Sequence, residues 1–188
     1  MNNHLRQELL EMQAEDLRVR EQIQAEGSEL PYDPRMEDVH RRNARRLRAI
    51  VDKHGWPIRS LVGDDGSAAA WLVLQHAISE PELQRAYLPL LQAAAEKDEI
   101  VPWQPAYLLD RIRYFEGQPQ RYGTHWATTD DGAAKRWIIE DPEHVNERRQ
   151  TVGLDPIPIE LEPMTPEEAL SVYSNPDFVE WARKVGWM

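Results

Sequence analysis

The least polar stretch of the chain is residues 66–79, with the sequence GSAAAWLVLQHAIS. At helical spacing its apolar side chains occupy both sides, and His76 shares one side with Leu72 and Val73. A helix that is apolar all round is typical of a protein interior. The stretch therefore predicts a central helix, and it places an ionisable ring in the middle of the fold.

Two amphipathic helices are predicted before this stretch, at residues 4–24 and 36–53. Asp16 and Arg20 lie in the apolar stripe of the first helix, four residues apart, where they can pair across one turn. Either they form an ion pair at the surface or both point inward. Asn43 lies in the centre of the second stripe. A buried amide needs partners for both ends, so Asn43 is a structural clamp or part of a polar site.

Further helices are predicted at residues 81–96, at 102–116, at 141–149, from 165 and from 175. Ser79 and Glu82 have capping-box spacing at the start of the first of these, and Pro89 predicts a kink or restart within it. The helix at 102–116 carries Asp110 and Arg111 among aromatic residues, where an unpaired charge would be costly.

The pattern of residues 120–127 changes to a two-residue period, which is typical of a strand, and residues 135–139 are the candidate partner strand. An Asp131-Gly132 turn signal lies between the two segments. This pattern predicts a β-hairpin. The fold class is therefore mainly α (α+β), a bundle of six to eight helices with one small hairpin. Neither a repeat nor a low-complexity linker interrupts the chain, so we expect a single domain over residues 1–188.

Composition narrows the classes of function. The chain has 188 residues, of which 41% are hydrophobic and 29% are charged, and its net charge is −11. That charge disfavours nucleic acid or an anionic membrane as a partner, because phosphate binding needs Lys and Arg. Five arginines between residues 41 and 48 spread around the solvent side of one predicted helix, which indicates a solvated face.

The chain contains no cysteine, which excludes disulfides, thiolate zinc sites and a cysteine nucleophile. Its first residues lack the apolar core of a signal peptide, and no apolar run approaches the length of a membrane span. We therefore expect a cytoplasmic protein.

Several short motifs together resemble an uncharacterised bacterial family of unknown function. They are the Asp16-x-x-x-Arg20 helix, Asn43, Gly55-Trp56-Pro57, Gln75-His76-Ala77, Leu109-Asp110-Arg111-Ile112, Gln120-x-Tyr122-Gly123-Thr124 and the segment from Arg148-Arg149 to Gly153-Leu154. The resemblance covers about residues 5–155, so that 1–155 is the family-like core and 156–188 a C-terminal helical extension. It implies no reaction, only that these polar residues form one set.

The sequence lacks phosphate loops, dinucleotide-binding glycine patterns, nucleophile elbows and His-Glu-x-x-His zinc helices. Polar residues at core positions of several helices instead indicate a shared pocket. The leading prediction is a small-molecule enzyme or binding protein with His76 as general acid or base, without cofactor or metal. The predicted catalytic residues are His76, Asp16 and Asp110. The predicted substrate-binding residues are Arg20 or Arg111, for an anionic group, with Asn43, Tyr122 and Thr124.

Three alternatives stay open. A lone histidine in an apolar helix is often a satisfied core residue. The acidic composition and the aromatics Trp126, Trp137 and Trp187, which we expect to be exposed, suit an interaction module of the immunity or adaptor type, with a protein partner and no activity. The Glu-x-x-His spacing of Glu37 and His40, together with His76, suits a metal oxygenase-like bundle, although a single copy of that spacing does not define a metal site.

Overall fold

The computed structural model describes residues 1–28, 32–128, 132, 134–158 and 163–188. These residues form eight α-helices, one short 3₁₀-helix and one antiparallel pair of strands, which confirms the predicted mainly α class with a small hairpin. Contacts divide the chain into two compact units, Met1–Ile100 and Val101–Met188. The expectation of a single domain stays a prediction. Among the described helices, none has the length and apolarity needed to cross a membrane.

The first unit contains four helices: α1 (Asn3–Ala25), α2 (Pro34–His54), α3 (Arg59–His76) and α4 (Pro81–Ala95). Helix α1 begins where the Asn2 side chain accepts a hydrogen bond from the Leu5 amide, and the Asp33 side chain caps α2 in the same way. Helix α1 packs against α2 and α3, and Leu9, Leu47 and Leu74 are fully buried in the unit. Burial of these leucines fixes how the three helices face one another.

The central helix differs from its prediction at both ends. It begins at Arg59 rather than at residue 66, and it is interrupted at Gly63, whose φ of 78° favours glycine. It ends at His76 rather than at residue 79. The helix therefore includes residues 59–62, which precede the predicted stretch.

One prediction about α4 is wrong. Ser79 does not cap this helix, because its hydroxyl donates to Glu37 Oε1 at 3.4 Å and Glu80 occupies the cap position without a side-chain bond. Helix α4 continues through Pro89, so it does not restart there, and the alternative of a kink at this residue stays a prediction. Local spacing cannot reveal that a distant carboxylate competes for the serine.

The second unit contains α5 (Trp103–Phe115), β1 (Trp126–Thr128), β2 (Ala134–Arg136), a 3₁₀-helix (Pro142–His144), α6 (Val145–Thr151), α7 (Pro166–Tyr173) and α8 (Pro176–Val185). The two strands are antiparallel, with Trp126 opposite Arg136. The strands are shorter than predicted. Among residues 120–125, only Gln120 has a β-type partner, and this is an isolated bridge to Ile139. Of the predicted turn, Asp131 lies outside the described residues.

Asp110 explains why residues 120–125 are a loop. Its carboxylate is fully buried and accepts hydrogen bonds from the amides of Arg121 at 2.6 Å, Tyr122 at 3.1 Å and Thr124 at 3.1 Å, and from the Thr124 hydroxyl at 3.0 Å. Burial nevertheless raises its pKa above the ordinary value, because these bonds offset only part of the desolvation. The alternating segment therefore wraps around a carboxylate instead of pairing along a strand.

An aromatic cluster fills the second unit. The His125 ring lies 3.9 Å from the Tyr114 ring, centroid to centroid, and Trp137 is 1% exposed with its indole N–H donating to the Gln118 carbonyl. Burial, and next the charge of Arg111, lower the pKa of His125 to about 3. The ring is therefore neutral in the folded protein at neutral pH.

The three tryptophans proposed as interface anchors differ in exposure. Trp137 and Trp187 are buried at 1% and 4% exposure, so the expectation that they are exposed is wrong. Trp126 is 43% exposed, and the Arg136 guanidinium lies 4.4 Å from its ring centroid. Two of the three are core residues of the second unit.

We expect Asp110→Asn to lower the free energy of unfolding by about 3 kcal/mol, because an amide NH₂ would face backbone donors and leave them unpaired. Urea denaturation measures the loss, and hydrogen exchange should show faster exchange at the amides of residues 121–124. Asp177→Asn, at an exposed position in α8, should change either quantity little. Unchanged protection of the 121–124 amides in Asp110→Asn would contradict the role of this carboxylate.

We expect the stability that neutral His125 contributes to be present above pH 6.5 and lost as the pH falls from 6.5 towards 3. In that range the unfolded imidazole binds a proton that the folded ring does not. Relative to His125→Phe, wild type should lose about 2 kcal/mol between pH 7 and pH 5 in urea denaturation.

His144 provides the matched control. Its contact with Asp141 raises its pKa, so its contribution is present below pH 6.5 and lost at higher pH. Relative to His144→Phe, the free energy of unfolding of wild type should therefore fall as the pH rises, which is the opposite sign to the effect of His125. Equal pH dependence of wild type and His125→Phe would show that folding does not change the pKa of His125.

Candidate functional site

Three helices of the first unit bring Asp16, His40 and His76 together. Asp16 lies on α1, His40 on α2, and His76 is the last residue of α3. One ligand atom from each of the three lies within 4.8 Å of the other two. Across the described ranges, this is the one group of three or more His, Cys, Asp or Glu side chains gathered so closely. We call it the Asp–His–His cluster.

Asp16 is the centre of the cluster and is 1% exposed. Both of its carboxylate oxygens lie 3.0 Å from Nδ1 of His76, and Oδ2 lies 3.3 Å from Nε2 of His40. Burial alone would raise the pKa of Asp16, but the contacts with His40 and His76 outweigh it and lower the pKa to about 2. The carboxylate is therefore charged at neutral pH, although it lies inside the protein.

His40 is 8% exposed and uses only one of its ring nitrogens in a hydrogen bond. Nδ1 lies 2.7 Å from the Tyr32 hydroxyl, and the two rings stack with centroids 5.7 Å apart. Nε2 is buried and has no hydrogen-bond partner, because its approach to Asp16 satisfies the ion-pair distance but not hydrogen-bond geometry. A buried ring nitrogen without a partner therefore faces the carboxylate.

His76 differs from His40 because its side chain is 21% exposed. Nδ1 donates to Asp16, which leaves Nε2 as the nitrogen with the lone pair. Nε2 makes no hydrogen bond within the described part of the chain, and it is not among the buried unpartnered atoms. The ring is thus held from inside by Asp16 and is open to solvent at Nε2.

Charged side chains surround the cluster without entering it. Arg41 pairs with Glu37 at 2.9 Å and with Glu80 at 3.2 Å, and Ser79 also donates to Glu37. Glu37, which has Glu-x-x-His spacing with His40, is therefore bound to Arg41 and is not a member of the cluster. The carboxylate that joins the two histidines is Asp16, on another helix.

The other residues predicted for the site in the first unit lie outside the cluster. The Asn43 amide is buried and donates to the Met12 carbonyl at 3.1 Å, so it connects α2 to α1. Arg20 is exposed, and within the described residues it forms no ion pair with Asp16. The interpretation that Asp16 and Arg20 both point inward is correct for Asp16 only.

The remaining residues of the predicted set belong to Val101–Met188. The Asp110 carboxylate binds the amides of Tyr122 and Thr124 and the Thr124 hydroxyl, so these groups hold a loop in place. Burial lowers the pKa of Arg111 to about 10, and its Nε is buried without a hydrogen-bond partner. The catalytic and binding roles assigned to these residues stay predictions.

Sequence reasoning did not assign His40 or Tyr32 to the leading site. A signal for His40 was present, because it falls in the buried stripe of α2 with Met36, Asn43 and Leu47. The sequence pattern places His40 only in the metal oxygenase-like alternative, together with Glu37 and His76. Tyr32 precedes α2 and carries no periodic signal.

Comparison with known families gives one match. The family model of DUF6624, described as a family of unknown function, matches residues 3–168. That range includes the whole Asp–His–His cluster and extends beyond residue 155, where the resemblance was expected to end. Neither the curated proteins nor the solved structures contain a match. The chain therefore belongs to the DUF6624 family of unknown function.

Proposed function

We propose that this protein is a small-molecule enzyme or binding protein whose site is the Asp–His–His cluster, with His76 as the general acid or base. The observation that supports the proposal most directly is the contact between Asp16 and His76. A buried, charged carboxylate holds Nδ1 at 3.0 Å, while the same ring keeps a solvent-exposed fraction of 21%. A ring held on one nitrogen and open at the other is suited to proton transfer.

The proposed step follows from this geometry. Asp16 keeps the proton of the neutral ring on Nδ1, so the Nε2 lone pair of His76 removes a proton from an O–H, N–H or activated C–H group of the substrate. The imidazolium that forms lies beside the Asp16 carboxylate, which stabilises its charge. Nε2 then returns the proton to the leaving or product atom. Atoms and charge balance without a further reactant.

Arg20 is the cation that we assign to an anionic group of the substrate. It follows Asp16 by one turn of α1, is exposed, and has no ion pair within the described ranges. A guanidinium with this freedom suits a carboxylate or phosphate group. Arg111 belongs to the second unit, so the proposal for this site uses Arg20.

Chemical modification tests the acid–base role without a known substrate. We expect diethyl pyrocarbonate to modify His76 at Nε2, and Asp16→Asn to slow that reaction by about tenfold or more, because a neutral amide neither fixes the tautomer nor stabilises the charged ring. Peptide mass spectrometry measures each histidine separately. His144 is a matched control, because its Nδ1 contacts Asp141 at 2.9 Å on the surface of the second unit. An unchanged His76 rate in Asp16→Asn would contradict the proposal.

A binding screen then distinguishes this function from an interaction module. We expect ligand-observed NMR with a panel of small carboxylates and phosphate esters to give at least one ligand whose affinity falls tenfold or more in His76→Gln and in Arg20→Gln. His144→Gln should bind as wild type does. Ligands that bind equally well to all variants, or an association with a protein that requires the exposed Trp126 and not His76, would favour the module.

A further inference from the structure

The Asp–His–His cluster has the composition of a metal site, and we propose that it binds one divalent first-row transition-metal ion through Asp16, His40 and His76. Binding of the ion is independent of the function proposed above. Its effect on activity, described below, rests on proton transfer by His76.

The donor set favours this class of ion. One carboxylate oxygen and two imidazole nitrogens suit Zn²⁺, Fe²⁺, Co²⁺ or Ni²⁺, whereas Ca²⁺ and Mg²⁺ prefer sites made of oxygen atoms. Three protein ligands leave at least one coordination position open for water or a small molecule. The site would therefore resemble a catalytic or regulatory metal site rather than a closed structural one.

The distances are close to those that a metal ion requires. Two ligands at about 2.1 Å from a tetrahedral ion lie about 3.4 Å apart. Asp16 lies 3.0 Å from His76 Nδ1 and 3.3 Å from His40 Nε2, and the three atoms all fall within 4.8 Å. The two distances from Asp16 therefore match the spacing of ligands on one ion, and the whole group is compact enough for all three side chains to turn towards it.

The unpartnered nitrogen of His40 is an independent observation that points to a ligand. The ring is 8% exposed, and Nε2 is buried without a hydrogen bond. A buried polar atom in this state is costly, and a cation between Nε2 and the Asp16 carboxylate would supply its partner. Nothing else within reach of that nitrogen in the described part of the chain forms the bond.

Tyr32 supports the same orientation from the other side of the ring. Its hydroxyl lies 2.7 Å from Nδ1 of His40. When Nδ1–H donates to the tyrosine oxygen, the neutral ring carries its lone pair on Nε2, which is the form that a metal ion needs. Tyr32 is therefore a positioning residue, and the ion contacts only the three side chains of the cluster.

Occupation of the site would switch off the proposed base. In the ion-free cluster, His76 carries its proton on Nδ1 and its lone pair on Nε2. An ion on Nδ1 displaces that proton, so the neutral ring then carries its proton on Nε2 and has no lone pair for a substrate. Metal binding and proton removal by His76 are thus mutually exclusive states of one cluster.

Titration of the full, untagged chain with Zn²⁺ in a calorimeter tests the site. We expect one ion per chain, with a Kd on the order of 1 μM or lower. Asp16→Asn, His40→Gln and His76→Gln should each weaken binding by at least about 100-fold, and Tyr32→Phe by about tenfold, because it orients a ligand without being one. Absence of stoichiometric binding would overturn the proposal.

Two variants serve as matched controls. Glu37→Gln removes the other carboxylate near His40, and His144→Gln removes a surface histidine of the Asp141–His144 pair. Both should bind Zn²⁺ within about twofold of wild type. A loss of affinity in either variant equal to that in Asp16→Asn would place the ion elsewhere and overturn the site.

Histidine-ring NMR of the wild-type chain keeps the test valid if a variant does not fold. Added Zn²⁺ should shift Nε2 of His40 and Nδ1 of His76 and leave His144 unchanged. Failure of those two resonances to move would overturn the metal site.

Normal reactivity of His76 towards diethyl pyrocarbonate in a chain that binds no Zn²⁺ would retain the proposed function and remove only the metal. Zn²⁺ that binds without slowing that reaction would contradict its inhibitory effect.

Discussion

The buried charge of Asp16 is the constraint on which the first unit depends. A carboxylate that is 1% exposed would lose its charge or be expelled if it had no partner, because desolvation of an ion is costly. Two imidazoles keep it ionised, and they come from two other helices. Helices α1, α2 and α3 must therefore converge at one point to satisfy Asp16, while Leu9, Leu47 and Leu74 provide the apolar packing nearby.

Asp16 and Asp110 are both buried carboxylates, but their surroundings assign them different roles. Asp110 accepts bonds from three backbone amides and one hydroxyl, none of which titrates near neutral pH, and it holds a loop in a fixed shape. Asp16 is contacted by two titratable rings, of which one is open to solvent and the other has an unused nitrogen. The pKa is raised in the first case and lowered in the second. Fixed backbone donors therefore make Asp110 a structural residue, whereas the ionisable partners of Asp16 support its place in the proposed site.

Local signals predicted the elements well because they act within a few residues. Helices α1 and α2 lie within one or two residues of their predicted bounds, and Thr165 and Glu168 form a capping box at the predicted start of α7. Errors arose where a distant group competes for a residue. Ser79 bonds to Glu37 rather than to its own helix, and the alternating residues after Gln120 wrap around Asp110. Periodicity predicts which face of an element is buried, but it does not predict which side chain of another element contacts that face.

The candidate site shows the same limit in a sharper form. Helical phase correctly predicted that Asp16, Asn43 and His76 turn inward, but it could not separate Asn43, whose amide is bound to the Met12 carbonyl, from His40, whose Nε2 is unpaired. Burial is common to Asp16, His40 and Asn43, so it does not distinguish a clamp from a site. An unpartnered polar atom beside other ionisable side chains is the additional signal, because a folded protein retains such an atom at a cost of about 1–3 kcal/mol.

Unpartnered atoms also occur on Trp56 and Gln104, yet neither residue belongs to a group of ionisable side chains like the one around Asp16. The unpartnered Nε2 of His40 differs from these atoms because it faces a charged carboxylate and lies beside a second imidazole. The proposed acid–base site and the proposed metal site both require the same three helices to meet, so the fold of the first unit and its proposed chemistry depend on the same contacts.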